Sequence, residues 1–249
     1  MKQSLFTLEH TRRLNDDTYE LVLSGDTSAI TAPGQFVSIA LPGLFLRRPI
    51  SVCSWSDGGL LLVVKVVGQG THDLVRSVPG TELDVLSGLG NGFDLSPAGG
   101  SPVLAGGGIG AAPLYGLAQR LLEAGITPTV ALGFRSGRDA FYLEEFAALG
   151  CPLMVATEDG SLGTKGFVTD LAKNVPQCDY AFVCGPTPML KAVHGLPQLT
   201  GGQFSFEARM GCGFGACMGC SVPTVDGYKR VCKDGPILYK EEIVWQTSL

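Results

Sequence analysis

Two rhythms of apolar residues divide the chain. Through residue 97 the apolar runs are short and often β-branched: TYELVLSG (18–25), GQFVSIAL (34–41), ISVCSW (50–55) and LLLVVKVV (60–67), separated by Gly, Pro, Asp and Ser. Such runs, with turn residues between them and no long helical period, predict a β-barrel or sandwich. NGFDLSPAGGS (91–101) then shifts composition and reads as a linker. From residue 102 strands alternate with helices. PVLAGGGIG is a buried strand running into a glycine loop, and APLYGLAQRLLEAG carries Leu114, Leu117, Ala118, Leu121 and Leu122 at helical spacing before Gly125. TPTVALGFRS, PLMVATEDG and DYAFVCGP read as strands; DAFYLEEFAALG, FVTDLAKNV and TPMLKAVHGL read as helices. That alternation predicts a doubly wound parallel sheet. Residues 201–249 show only short irregular segments. The expected fold is α+β and multi-domain: an N-terminal antiparallel β-barrel (1–97), a central α/β nucleotide-binding domain with a doubly wound parallel sheet (98–200), and a small C-terminal subdomain (201–249).

Composition narrows the class. At 249 residues, 45% hydrophobic and 16% charged, the chain can bury sizeable cores. Its net charge of −5 and the lack of a basic run argue against nucleic acid as a partner. The N-terminus has no apolar stretch of signal-peptide length. SPVLAGGGIGAAPLYGLAQRLL has the length of a membrane span, but its glycines and Pro102 and Pro113 favour strand–loop–helix. A cytoplasmic location is expected, where eight cysteines serve as ligands and buried thiols rather than disulfides.

Three stretches carry candidate chemistry. In GGGIGAAP, Gly106-x-Gly108-x-x-Ala111 follows a strand and opens a helix, which fits the Gly/Ala form of the dinucleotide fingerprint. Gly107 and Gly110 lie in the same loop. The acid usual about 20 residues on is not cleanly placed, and no Gly-Lys-Ser/Thr follows for a P-loop. CGPTPML, with Cys184, Gly185 and Pro186, and TEDGSLGTKGF lie at the ends of later strands, where such sheets bind ligands. Glu158 and Asp159 suit ribose hydroxyls, whereas Arg135 and Arg138 suit a 2′-phosphate, so NAD and NADP both remain open. In the β region, FLRRPISVCSW places Arg48 to pair with a phosphate, Ile50 to flank a flat ring and Ser51 to hydrogen-bond to it. VGQGTHDL adds a turn that can supply backbone donors.

Half of the cysteines crowd into EARMGCGFGACMGCSVPTVDGYKRVCKDG (207–235). Cys212, Cys217, Cys220 and Cys232 are spaced C-x4-C-x2-C-x11-C. The first three match plant-type [2Fe–2S] spacing, with a fourth ligand further on. A zinc site with Cys232 standing alone, or thiol redox chemistry, are the other readings. The surrounding glycines let the loop curl and free N–H groups toward sulfur. Cys53, Cys151, Cys178 and Cys184 are scattered on apolar segments as buried thiols, with Cys184 where a nicotinamide approaches. His10, His72 and His194 have no metal-ligand company in sequence.

A nicotinamide delivers two electrons as hydride and a [2Fe–2S] centre takes one at a time, so a flavin is needed between them. At this point the whole chain resembles the ferredoxin–NADP reductase superfamily and, within it, the iron–sulfur electron-transfer subunits of NAD-dependent class 1B dihydroorotate dehydrogenases. RRPIS resembles the flavin motif, which implies Arg48 on the FAD phosphates and Pro49, Ile50 and Ser51 along the flavin; in the wider superfamily the position of Ile50 is often aromatic. Val64, Lys65, Val66, Gly70 and Thr71 match its other FAD contacts. GGGIGAAPL and CGPTPML are similar to its NAD contacts. MGCGFGACMGCSVPT followed by VCKDGP is similar to its cluster loop, with all four ligands present.

The resemblance implies FAD and a [2Fe–2S] cluster as cofactors and NAD as substrate, in pyrimidine biosynthesis. A separate FMN-containing catalytic subunit would oxidise dihydroorotate and pass electrons through cluster and FAD to NAD⁺, in a heterotetramer of two subunits of each kind. The chain lacks the length and eightfold strand–helix pattern for the FMN barrel. Diaphorase activity alone is therefore expected, with the cysteine loop facing the partner. The competing readings are a related flavin/[2Fe–2S] subunit serving a bifurcating transhydrogenase or sulfhydrogenase, and a non-enzymatic redox sensor or zinc-stabilised module.

Overall fold

The computed structural model describes residues 1–175 and 180–245; Cys178 lies outside them. Six strands close the N-terminal barrel: β1 (Lys2–Arg13), β2 (Thr18–Gly25), β3 (Phe36–Ile39), β4 (Arg48–Ser56), β5 (Gly59–Lys65) and β6 (Glu82–Leu89), in the order β1-β2-β5-β4-β3-β6. Every pairing is antiparallel. Phe6, Leu8, Leu21, Leu23, Val52 and Val85 fill the interior. Strands β1 and β6 are additions to the sequence reading. β6 alternates outward and inward residue by residue, but its Asp, Ser and Gly mask it as a turn region. β1 turns only Phe6 and Leu8 fully inward among polar neighbours, too few for an apolar run. Helix α1 (Gln69–Val75) replaces the expected turn over VGQGTHDL, because Leu74 and Val75 pack against the barrel core.

The linker is anchored rather than loose. Gln203, fully buried, donates to Asp94 O (2.6 Å) and accepts from Asp94 N (2.8 Å), and Asn91 pairs with the backbone of Ile237 through both its amide atoms.

Beyond the linker come β7 (Val103–Gly107), α2 (Ala111–Glu123), β8 (Thr129–Phe134), α3 (Leu143–Ala148), β9 (Leu153–Thr157), β10 (Thr164–Lys165), α4 (Val168–Lys173), β11 (Tyr180–Cys184), α5 (Thr187–His194), β12 (Gly201–Ser205), β13 (Ser221–Thr224), β14 (Gly227–Arg230) and β15 (Ile237–Tyr239). The sheet order is β10-β9-β8-β7-β11-β12-β15, parallel except for β15. One face is covered by α2 and α3 and the other by α4 and α5. The order reverses between β7 and β11, the switch point where doubly wound sheets bind ligands. The helix expected over DAFYLEEFAALG is shortened to α3: a turn at Ser136–Asp139 and the left-handed φ of 63° at Tyr142 interrupt its first half. The C-terminal segment, expected to be irregular, contributes β12 and β15 to the sheet, β12 held between β11 and β15 and β15 forming the edge.

Barrel and sheet share a continuous core, since Cys53 and Val63 pack with Leu114, Leu117 and Tyr142. α2 lies so close to β4 that a Cβ on Gly116 would stand 2.2 Å from Cys53 O. Helix propensity alone makes Gly116→Ala stabilising by about 1 kcal/mol. The clash with an immobile carbonyl reverses the sign, so urea unfolding should show a loss of about 2 kcal/mol; a gain would refute this packing account.

Candidate functional site

The thiol loop shows why its spacing is what it is. β13 and β14 form a hairpin with Ser221 opposite Arg230, and Val231 N donates to Cys220 O at 3.1 Å. The eleven residues between Cys220 and Cys232 are the hairpin that folds the fourth thiol back onto the third. Cys220 and Cys232, 3% and 2% exposed, are packed with Phe36, Leu89 and Val231 against the barrel. Cys212 is half-buried and Cys217 exposed, alongside exposed Phe214 and Met218.

The thiols fall into two pairs, Cys212 with Cys217 and Cys220 with Cys232. Among the described residues no three His, Cys, Asp or Glu side chains surround a single ion position. Two pairs of soft thiolate donors suit a two-iron cluster better than one tetrahedral zinc. The backbone fits the same group. Ala216 N and Cys217 N donate to Cys212 Sγ at 3.2 and 3.4 Å, and Cys232 N to Cys220 Sγ at 3.4 Å. Desolvation opposes ionisation of Cys212, but the N–H groups of Cys217, Phe214 and Ala216, with the Cys217 thiol, outweigh it and bring the thiol down to about 6. Cys232 is pushed up to about 12 by desolvation and by Cys220. Gly213 and Gly215 take φ of 78° and 94°, which the curl requires, and a Cβ on Gly211 would sit 3.3 Å from Cys217 Sγ. Arg230, which sequence reasoning passed over, holds the loop shut: it pairs with Asp234 at 2.8 and 3.1 Å and donates to Gly215 O at 2.9 Å. Its only sequence signal was the i, i+4 spacing of Arg230 and Asp234.

The loop rests on the barrel strand next to the arginine motif. A Cβ on Gly213 would stand 3.5 Å from Ser38 Oγ, and β3 pairs with β4 as Phe36 with Ser51, Val37 with Ile50 and Ser38 with Pro49. The two arginines divide. Arg47 is committed to the fold, paired with Asp84 at 2.7 Å and bonded to the carbonyls of Asp84 (2.9 Å) and Ser38 (3.3 Å). Arg48 bonds only the carbonyls of Leu46 and Arg47, and among the described residues no carboxylate pairs with it. Its guanidinium lies over Gly70, where a Cβ would stand 2.0 Å from Nε. Thr71 is engaged in its own turn, accepting from Val67 N at 2.9 Å and donating to Gly68 O at 3.1 Å. Pro49 and Ser51 are exposed, whereas half-buried Ile50 pairs with Val37 and packs against the barrel core. Val64 points into the barrel core, so only its backbone is available to a ligand; Val66 is half-buried at the strand end.

A cleft of about 570 Å³ opens at the carboxyl ends of the parallel strands. Gly107, Gly108 and Pro186 line it, with Lys65 and Thr18 contributed by the barrel. Gly106 and Gly110 lie behind the wall. A Cβ on Gly106 would meet Leu132 at 2.9 Å, and one on Gly110 would stand 2.1 Å from Cys184 O. At Gly185 a Cβ would meet the Met189 side chain at 2.8 Å. Glu158 and Arg135 reach the cleft, whereas Asp159 is tied to Ser161 at 2.6 Å and Arg138 is exposed. Glu207 also lines the cleft, and desolvation there raises its carboxyl above the usual range. Nothing in its sequence neighbourhood marks it. Buried Cys184 is pushed up to about 12 by desolvation and by the Glu207 charge, against a hydrogen bond with Ser205. Cys53 and Cys151 are buried thiols as expected. His194 is structural, packed edge-on against Trp245 and bonded to Lys240 O, while His10 and His72 are exposed.

A closed antiparallel barrel, a doubly wound sheet with a glycine loop at its switch point, and a four-thiol loop against the barrel define an oxidoreductase of the ferredoxin-reductase-like class. Residues 207–244 match the family described as the iron–sulfur cluster binding domain of dihydroorotate dehydrogenase B. The chain is 42% identical over 238 residues to the dihydroorotate dehydrogenase B (NAD(+)) electron transfer subunit of Listeria monocytogenes serotype 4a, covering 92% of this chain and 93% of that one. It is also 42% identical over 256 residues to the subunit of that name from Geobacillus sp. (strain WCH70), covering 98% and 99%. Among solved structures it is similar to an NADH-dependent reduced ferredoxin–NADP oxidoreductase studied for flavin-based electron bifurcation, with TM-score 0.87, 31% identity and coverage of 97% and 90%. The chain belongs to the family of dihydroorotate dehydrogenase B electron transfer subunits. Such a subunit serves a catalytic partner. No helix among the described residues is long and apolar enough to cross a membrane.

Proposed function

We propose that this chain carries electrons from an FMN-containing dihydroorotate-oxidising subunit to NAD⁺, in a cytoplasmic heterotetramer of two subunits of each kind. When bound, FAD and a [2Fe–2S] cluster supply the exchange between one-electron and hydride chemistry. The observation that carries the reading is the β3–β4 pairing: the thiol loop rests on β3, and β4, one strand spacing of about 5 Å away, bears Arg48-Pro49-Ile50-Ser51.

Residues 1–97 form the FAD-binding unit, 98–200 the NAD-binding unit and 201–249 the cluster-binding unit, the last also lending two strands to the sheet. Arg48 neutralises the FAD phosphates, Pro49, Ile50 and Ser51 follow the flavin, and Val64, Lys65, Val66, Gly70 and Thr71 complete the groove. Gly107 and Gly108 admit the dinucleotide, with Pro186 opposite, while Gly106, Gly110, Cys184 and Gly185 pack behind them and hold that backbone in place. Cys212, Cys217, Cys220 and Cys232 ligate the cluster. Exposed Phe214, Met218 and Tyr228 offer the partner an apolar face around it.

The purified chain, loaded with FAD and cluster, should reduce artificial dyes with NADH but leave dihydroorotate untouched. Mixed anaerobically with the FMN-bearing subunit, it should confer dihydroorotate-dependent NAD⁺ reduction. Absence of NADH-driven dye reduction, or a mixture without that activity, would end the reading.

A further inference from the structure

Barrel and nucleotide-type sheet are joined behind the cleft by a polar chain centred on Tyr142. This residue is 3% exposed and holds φ 63°, a region few non-glycine residues occupy. Its phenol donates to Glu20 Oε2 on β2, and its ring shares the core between barrel and sheet with Cys53 on β4. Glu20 accepts from Arg12 Nε and Nη2, each at 2.9 Å, and Arg12 reaches Glu145 of α3 at 2.8 Å. Tyr115 and Phe141 pack edge-on against the Tyr142 ring at 5.2 and 5.5 Å. Burial raises the phenol, so its O–H stays a donor. Desolvation also pushes Glu20 up, but the bonds from Arg12 and Tyr142 outweigh it and hold the carboxyl below its usual range.

The placement of this chain gives it consequence. Asp139 and Phe141, just before Tyr142, line the cleft from the sheet side; Thr18, just before Glu20, lines it from the barrel side. β4 carries Arg48 through Ser51 shortly before Cys53, whose carbonyl Gly116 of α2 approaches closely. We propose that Tyr142 is a positioning residue for hydride transfer: it ties the barrel, which carries the arginine-motif strand, to the opposite cleft wall, and so sets the distance between nicotinamide and flavin rings. This rests on the dinucleotide and flavin sites proposed above. Hydride transfer moves two electrons and one hydrogen from NADH to the flavin, which takes its second proton from solvent. The phenol exchanges neither.

Tyr142→Phe keeps the ring and removes the tie. In the FAD- and cluster-loaded protein assembled with its partner, the saturating rate of flavin reduction by NADH should fall roughly 10- to 100-fold. NAD⁺ affinity and FAD content should stay within about twofold, the split expected when only transition-state geometry is lost. The long-wavelength charge-transfer absorbance of NAD⁺ on reduced flavin, which depends on ring overlap, should weaken in parallel. Glu20→Gln tests the same tie from the barrel side, and the double variant should be no slower than the slower single one. A Tyr142→Phe rate within about twofold of wild type, or a slower rate matched by equally weakened NAD⁺ binding, overturns the proposal. If NADH fails to reduce the wild-type flavin, the functional reading falls and this one with it; a reduced wild type with an unaffected variant sinks this one alone.

Discussion

Replacing Cys220 by serine should remove iron and acid-labile sulfide from the protein while leaving most of its FAD bound. Cys220 is nearly sealed from solvent between Cys232, Val231, Phe36 and Leu89. A serine hydroxyl there does not ionise near neutral pH and is a hard donor where iron–sulfur chemistry needs a soft thiolate. The hairpin would also lose the ligand that fastens it to the barrel, so metal binding and local folding should fail together. Iron content should drop from about two atoms per chain to nearly none. FAD should remain because Arg48 and Gly70 meet each other on the barrel, independent of the thiol hairpin. Measuring iron, sulfide and flavin on one sample decides it. Unchanged iron would remove Cys220 from the ligand set, and zinc in the wild-type protein would remove the cluster.

Arg48→Ala should weaken FAD binding by about 10- to 100-fold, whereas Arg47→Ala should change it by less than about threefold. The first residue has no carboxylate partner among the described residues and lies across Gly70, at the start of β4. Removing charge-assisted bonds to a phosphate costs about 1.5–3 kcal/mol, which sets the range. Arg48→Lys should recover little, because a point charge does not reproduce a planar fork. Arg47 instead satisfies Asp84 and two backbone carbonyls, so its loss should appear as about 1–2 kcal/mol of unfolding free energy. Fluorescence titration of the deflavinated variants with FAD gives the affinities. Equal loss of FAD in both variants would show that the division of labour is wrong.

How much was legible is best judged from such neighbours. The RRPIS motif singles out Arg48 only by resemblance, and nothing in the neighbouring residues shows that Arg47 is committed to the fold. Asp84, 37 positions on, ties Arg47 to the barrel. The alternation of β6 was written in the sequence but obscured by its polar residues, and β1 has too few inward side chains to announce itself. The helix expected from Asp139 starts only at Leu143: the composition before it is helical, but a turn and the left-handed Tyr142 keep those residues out of it. Glu207 and Arg230 acquired their places from packing, with at most a weak spacing cue.

By itself the sequence determined the order of barrel, doubly wound sheet and cysteine loop, the glycine loop at the head of α2, and the thiol spacing. These are local properties: strand and helix periods, turn chemistry and ligand spacing act over a few to a dozen residues. Only the tertiary structure decided that the thiol loop lies against β3, one strand from Arg48, and that Tyr142 bonds Glu20 from 122 residues away in the core it shares with Cys53. Those meetings depend on how the barrel and the sheet pack across a shared core, and no local period encodes the angle at which two domains meet.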